Sequence, residues 1–464
     1  MLRIDVKNPS VYRWILFGVF FMIGMALSGW FGISEYPWDS GYYWSVADSV
    51  WDGWKLLVLN YPETFRGYFF PLVVSVFKKL FHGVWGWRIL STLMSAGEFA
   101  LILPYLFDND LSTLEKKLRP VLSYGVFLFM WGYFLQFPLS DFPAMLFCSG
   151  GIALLKSVEH KKSRFFVLIG SLFAGVLFYA SYNTRSVYLY AIILFLLFYI
   201  GRLRRKILCN LIAILVGVIL LAIPQSMINH QYVDSYSPRV YSEQMNGYAS
   251  NLQMQQIYWG IEMPRFEGYI DPELTGGCYY FDPTGKFLLG LEGYTPGDSG
   301  WKGFIKLWVR YPLDMTGIYV KHFISAMTPG DIQQVYVTRM HRDKGVISCV
   351  SILMWIITGI MLADSIQNKR IDKKKMGAIV PLCVPALMQA MGAVEIRFFL
   401  PVYVLMYYYL FSGIDRHRLI KLFRDHAMVV LMVIIIVFVF WISVYGSILS
   451  ECDRQILLIN EFRH

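Results

Sequence analysis

A chain of 464 residues that is 56% hydrophobic, 17% aromatic and only 16% charged is too poor in charge for a water-soluble protein, where about a quarter of residues are charged. Its mean hydropathy of +0.48 agrees. The net charge of +10 does not indicate a nucleic-acid partner, because the cations fall in short connections between apolar runs.

The first apolar run, about 12–33, is too long for the core of a secretion signal and lacks a small-residue cleavage site. It is expected to remain as a span. Further runs near the spanning length of about 20 residues occupy 87–107, 120–138, 141–157, 165–182, 186–201, 207–226, 346–364, 376–394, 397–414 and 427–447. The expected fold is an all-α polytopic membrane bundle of about eleven transmembrane helices. Between the runs lie short basic pieces: Arg3/Lys7/Arg13, Lys116/Lys117/Arg119, Lys156/Lys161/Lys162/Arg164, Arg202/Arg204/Arg205/Lys206, Lys369/Arg370/Lys373/Lys374/Lys375 and Arg416/Arg418/Lys421/Arg424. They hold more than half of the 42 Lys and Arg residues and all fall on alternate connections. The excess of cations on cytoplasmic loops then sets the N-terminus inside and the C-terminus outside a plasma membrane.

The stretch 67–81 is apolar but short and ends in Lys78-Lys79. Were it to span, the Lys116/Lys117/Arg119 group would fall outside. It is expected as an external interfacial or re-entrant helix, with a short true span as the alternative. The chain thus reads as an N-terminal transmembrane module, 1–226, carrying a first external loop at 34–86. An external cap at 227–345 and C-terminal transmembrane helices at 346–464 follow. The cap is too long to be structureless, and 301–327 has the spacing of one helix lying on the membrane surface. Six scattered cysteines with no Cys-x-x-Cys pair indicate neither a disulfide framework nor a metal site.

The chemistry-bearing residues collect at connections on the expected outer face. Asp39 stands in Tyr36-Pro37-Trp38-Asp39-Ser40-Gly41-Tyr42-Tyr43-Trp44, directly after the first span. Asp141 opens another span, Arg185 follows Asn183-Thr184, and Glu395-Ile396-Arg397 joins two late runs. These connections are otherwise almost bare of charge, so each ionisable residue stands out. Plainer readings exist for each: Asp141 as a helix cap, Arg185 and Arg397 reaching to headgroup phosphates, Glu395 and Arg397 as a local ion pair, Asp48 and Asp52 as a solvated face. Taken together, the set suits a phosphate-linked donor in a bilayer. Guanidiniums hold the phosphate, and a carboxylate takes the proton of the attacking group. Asp39 is the expected base, with Asp141 and Glu395 as further carboxylates. Arg66, Arg185, Arg397 and Lys321/His322 are expected around the phosphate, and Tyr42 and Tyr43 beside the substrate.

These features resemble the GT-C membrane glycosyltransferases, the class of protein O-mannosyltransferases and of bacterial lipid A aminoarabinose transferases. The matching pieces are Trp38-Asp39-Ser40-Gly41-Tyr42-Tyr43, Arg66-Gly67-Tyr68-Phe69-Phe70-Pro71, Leu139-Ser140-Asp141-Phe142-Pro143, Asn183-Thr184-Arg185 and Glu395-Ile396-Arg397-Phe398-Phe399-Leu400-Pro401. Each is short; their order carries the resemblance. It implies a polyprenyl-phosphate sugar donor, inversion at the anomeric carbon, a glycan, lipid or wall-polymer acceptor, and a bacterial type of envelope. A divalent metal is an option in the class, although no ligand set stands out here. The class often has an Asp-Glu pair where this chain has Asp39-Ser40, which leaves open the carboxylate that completes the site. The rival enzyme is an O-antigen-type polymerase or ligase, relying on loop arginines such as Arg239, Arg265 or Arg339. The rival outside enzymology is a transporter or flippase of lipid-linked glycans. That rival calls for charges at the bilayer midplane, whereas the ionisable residues here read as lying at span ends.

Overall fold

The computed structural model describes residues 9–53, 55–62, 64, 66–107, 113–159, 161, 163–200, 207–241, 252–270, 275–297, 300–328, 344–368, 373–412, 420–421 and 424–458. Seven helices among them are long and apolar enough to cross a membrane: Ser10–Phe31, Val84–Leu106, Asp141–Glu159, Arg164–Thr184, Leu208–Val233, Val346–Gln367 and Ala427–Glu451. At 1.5 Å per residue, even the shortest reaches about 28 Å, close to the thickness of a hydrocarbon core. Their surfaces are apolar as well: Met428 is 71% exposed and Ile436 62%. Side chains like these are stable against lipid and would aggregate in water. The protein is membrane-embedded and predominantly helical. The remaining expected spans fall on shorter or more charged helices, Leu114–Trp131, Tyr188–Tyr199, Lys375–Gln389 and Ile396–Phe411.

The chain divides into two compact units. The first comprises Met1–Tyr241 and Ile371–Pro385, the second Ser242–Arg370 and Ala386–His464. In the first, the helices Asp141–Glu159, Arg164–Thr184 and Ile207–Val233 pack side by side. The last two approach at backbone distance. A Cβ on Gly175 would lie 2.0 Å from the Ile214 carbonyl oxygen, and one on Gly217 2.0 Å from that of Leu172. Small residues are what allow apolar helices to associate closely where lipid removes the hydrophobic drive.

The stretch 67–81 forms a helix of 12 residues, Phe69–Leu80, about 18 Å long and too short for a full hydrocarbon crossing. It follows the short helix Trp38–Val46 and a two-residue hairpin pairing Trp51 with Leu56. Val46, Val50, Tyr61, Tyr68 and Ile228 close a small core beneath them.

In the second unit, the expected surface helix over 301–327 is instead two helices, Trp301–Arg310 and Pro312–Met327. Pro312 lacks an N–H and forces Tyr311 out of the helical region, to φ −126° and ψ 56°. Together with Leu252–Glu262 and Pro283–Glu292 they enclose Tyr258, Ile261, Leu289, Leu307, Met315 and Ile318. A small antiparallel sheet departs from the all-helical expectation. The hairpin Arg265–Ile270/Thr275–Phe281 is extended by Asp453–Leu458 from the C-terminal end, with Cys278 opposite Ile456.

Glu292 ties these helices. It takes 2.7 Å contacts from Lys306 and Arg310 and a 2.9 Å hydrogen bond from the Tyr311 hydroxyl. Those long side chains, rather than depth in the protein, cover it. They hold its pKa down at about 2 from an ordinary 4.5. The contribution is therefore complete above about pH 4.5 and is lost as the pH falls toward 2. Hydrogen exchange in Trp301–Arg310, corrected for intrinsic rates, is expected to quicken between these values, with a flatter profile in Glu292→Gln.

Candidate active site

Asp39 sits in the first turn of Trp38–Val46, entered by a strained step, since Trp38 has φ +51°. A positive φ on a bulky residue costs roughly 1–3 kcal/mol and persists only where surrounding contacts enforce it. Here the Ser40 hydroxyl donates to the Pro37 carbonyl, and Gly41 lies so near Tyr36 that a Cβ would meet its carbonyl oxygen at 2.4 Å. The carboxylate accepts from Arg66 at 2.9 Å; the side chains are 36% and 24% exposed, so the pair opens to solvent. Arg66 also lies over the rings of Tyr42 at 4.2 Å and Tyr43 at 5.3 Å.

From there the polar contacts run inward. The buried Tyr43 hydroxyl donates to Ser140 Oγ at 3.2 Å, and Ser140 precedes Asp141. Asp141, 3% exposed, pairs with Arg185. Helix geometry explains this contact across 44 residues. Asp141–Glu159 and Arg164–Thr184 form an antiparallel hairpin, so the start of one lies beside the end of the next. A carboxylate in a first turn and a cation after a last turn are each favoured by the helix dipoles. Asp141 therefore stands in the first turn, where the helix dipole favours it, and its partner Arg185 comes from the neighbouring helix end. Burial raises the Tyr43 phenol above its ordinary pKa, opposed by Arg66 and Arg185 and assisted by Asp39, which keeps it a neutral donor.

Arg66 is positioned by a buried amide ladder. Asn183 Oδ1 accepts from the Phe69 amide at 2.8 Å, while its Nδ2 donates to Gln225, which in turn donates to Asn229. Gly67 is pressed against it, and a Cβ there would stand 1.8 Å from the Asn183 carbonyl oxygen. Gly67→Ala must displace this segment. It is expected to cost about 1–3 kcal/mol, read as a lower midpoint in thermal unfolding of the detergent-solubilised protein. Asn183 is visible in the sequence as part of Asn183-Thr184-Arg185; Gln225, inside an apolar run, and Asn229, just beyond it, carry no such signal.

Glu395, Arg397, Lys321 and His322 belong to the second unit. Glu395 and Arg397 pair with each other, which matches their plainer reading. Lys321 contacts the buried Asp282 at 2.9 Å, and Asp282 also caps Pro283–Glu292 through the Thr284 amide. His322 is enclosed, its ring nitrogens 2.7 Å and 2.8 Å from the Ala390 and Gly260 carbonyls, with burial lowering its pKa. Both residues tie Pro312–Met327 to its neighbours. Of the rival arginines, Arg239 lies over Tyr241, and Arg265 is fully buried beside Tyr445. Arg339 lies outside the described residues.

One residue corrects the reading that ionisable groups keep to span ends. Glu98 lies near the middle of Val84–Leu106, fully buried, at the start of a π-helical turn. Its Oε2 accepts from Ser149 at 2.8 Å, and its Oε1 has no partner among the described residues. A single Glu inside an apolar run was the overlooked signal. Among the described residues, no group of three His, Cys, Asp or Glu side chains is gathered as a metal site would need.

No protein-family model matches this chain, and no curated protein or solved structure does either.

Proposed function

We propose that the protein is a GT-C-type glycosyltransferase with about eleven spans, its N-terminus in the cytoplasm, acting at the outer face of a plasma membrane. It moves a sugar from a polyprenyl-phosphate carrier to a glycan, lipid or wall-polymer acceptor. The observation that supports this is the continuous set Asp39–Arg66–Tyr43–Ser140–Asp141–Arg185, which joins an accessible carboxylate to two guanidiniums. A phosphate arriving at Arg66 competes with Asp39 for the guanidinium and releases the carboxylate. Asp39 then takes the acceptor hydroxyl proton as its oxygen attacks the anomeric carbon. The bond from that carbon to the phosphate oxygen breaks, the electron pair leaves on the phosphate, and Arg66 neutralises the charge. Attack opposite the leaving group inverts the centre. Arg185, held by Asp141, fixes the inner end of the set, while Glu395 and Arg397 remain secondary candidates from the family resemblance.

The test is transfer by the purified protein from a panel of radiolabelled polyprenyl-phosphate sugars, read as release of free polyprenyl phosphate, with and without chelator. No release from any carrier, with a broad acceptor mixture present, would overturn the reading. Glu98 favours one alternative, a transporter or flippase, because ionisable residues inside membrane helices mark transport pathways and proton relays, and π-turns gather at functional sites. Lipid flipping in vesicles that is abolished by Glu98→Gln would select it.

A further inference from the structure

A second site lies in the first unit and is independent of the reading above. A cleft of about 500 Å³ opens between the end of Phe69–Leu80 and the turn and hairpin that follow Trp38–Val46. Its walls include Asp48, Trp51, Lys78, Lys79 and His82. Hydrogen-bond donors dominate. Lys78 neutralises Asp48 at 2.7 Å and donates to the Trp44 carbonyl at 3.1 Å, so this carboxylate does not leave the cleft acidic. Lys79 lies 5.6 Å over the Trp51 ring.

The cleft is also built to hold its shape. His82 has φ +52° and Gly83 φ +67°, which stops the helix, and the Gly83 amide returns to the Lys78 carbonyl at 3.2 Å. Gly86 then packs against Phe77, where a Cβ would stand 2.4 Å from the carbonyl oxygen. The position of the cleft identifies its ligand class. Gly83 lines it, and the next residue begins the membrane-crossing helix Val84–Leu106. A residue immediately before such a helix stands at headgroup depth. The rim is apolar and exposed on both sides, with Leu80 at 65%, Phe81 at 42% and Trp85 at 48% on one, and Leu56 at 42% on the other. A soluble anion would have no use for that rim. An amphiphile places its phosphate among the donors and its chains against the rim.

We infer that this cleft binds the phosphate headgroup of a membrane lipid. Lys79 supplies the cationic contact, His82 supplies a ring N–H donor, and the apolar rim receives the acyl chains.

The experiment is native mass spectrometry of the full chain released from detergent micelles. The probes are phosphatidylglycerol, diacylglycerol with the same chains, and inorganic phosphate. Wild type is expected to retain one phosphatidylglycerol and no diacylglycerol, with retention falling at least about tenfold in Lys79→Glu/His82→Glu. A second variant, Lys79→Arg/His82→Gln, keeps the donors and is expected to retain the lipid, which separates lost chemistry from lost fold. Retention of diacylglycerol as well as phosphatidylglycerol would overturn the role of the phosphate. Displacement of the lipid by equimolar inorganic phosphate would reassign the site to a free phosphate ligand and overturn the lipid assignment. Unchanged lipid retention in Lys79→Glu/His82→Glu, with its thermal midpoint intact, would remove the site altogether.

Discussion

Asp39→Asn is expected to lower the turnover of sugar transfer by about 10²–10⁴-fold, the usual worth of a positioned general base. The direction of the second kinetic parameter makes the result diagnostic. Asp39 holds Arg66 at 2.9 Å in the ligand-free protein, so removing its charge leaves the guanidinium to the donor phosphate. The KM for the donor should stay level or fall while kcat collapses. A merely structural carboxylate would raise KM or lower the unfolding midpoint. Turnover that survives unchanged would move the base to Asp141 or Glu395.

The second large effect concerns the inner pair. Asp141 is 3% exposed and Arg185 19%, so Arg185→Ala leaves a carboxylate in a buried setting without its cation. A loss of about 3–5 kcal/mol is expected, as for breaking a buried pair from one side. The double variant Asp141→Asn/Arg185→Ala should recover much of that stability, because no buried charge remains, yet it should not recover transfer. Thermal unfolding of the four proteins of this cycle, with parallel transfer assays, separates the two roles. Equal destabilisation by Arg185→Ala and by the double variant would show that an unpaired Asp141 charge is not the source of the loss.

Several features were legible in the residues because they depend only on local composition and spacing. Runs of about 20 apolar residues bounded by basic pieces mark helices that can cross a bilayer, since the backbone has no other way to satisfy its polar groups in lipid. Seven such helices are present at expected positions. The short stretch ending in Lys78-Lys79 is a helix, too short to cross the hydrocarbon in full. Asp39, Asp141, Arg185 and the Glu395/Arg397 pair stand out as isolated charges beside apolar runs.

Other features required the tertiary structure. By sequence alone Arg66 could have faced any carboxylate of its loop; the turn at Gly67 against Asn183 directs it to Asp39. Lys321 and His322 looked like phosphate ligands by residue type, but packing commits them to Asp282 and to two backbone carbonyls. The third strand comes from 453–458, more than 170 residues beyond the hairpin it joins, a pairing that no local pattern encodes. Sequence periodicity reports which face of an element is apolar. Which charges meet depends on how antiparallel helices bring distant ends together, and that is a property of the packed chain alone.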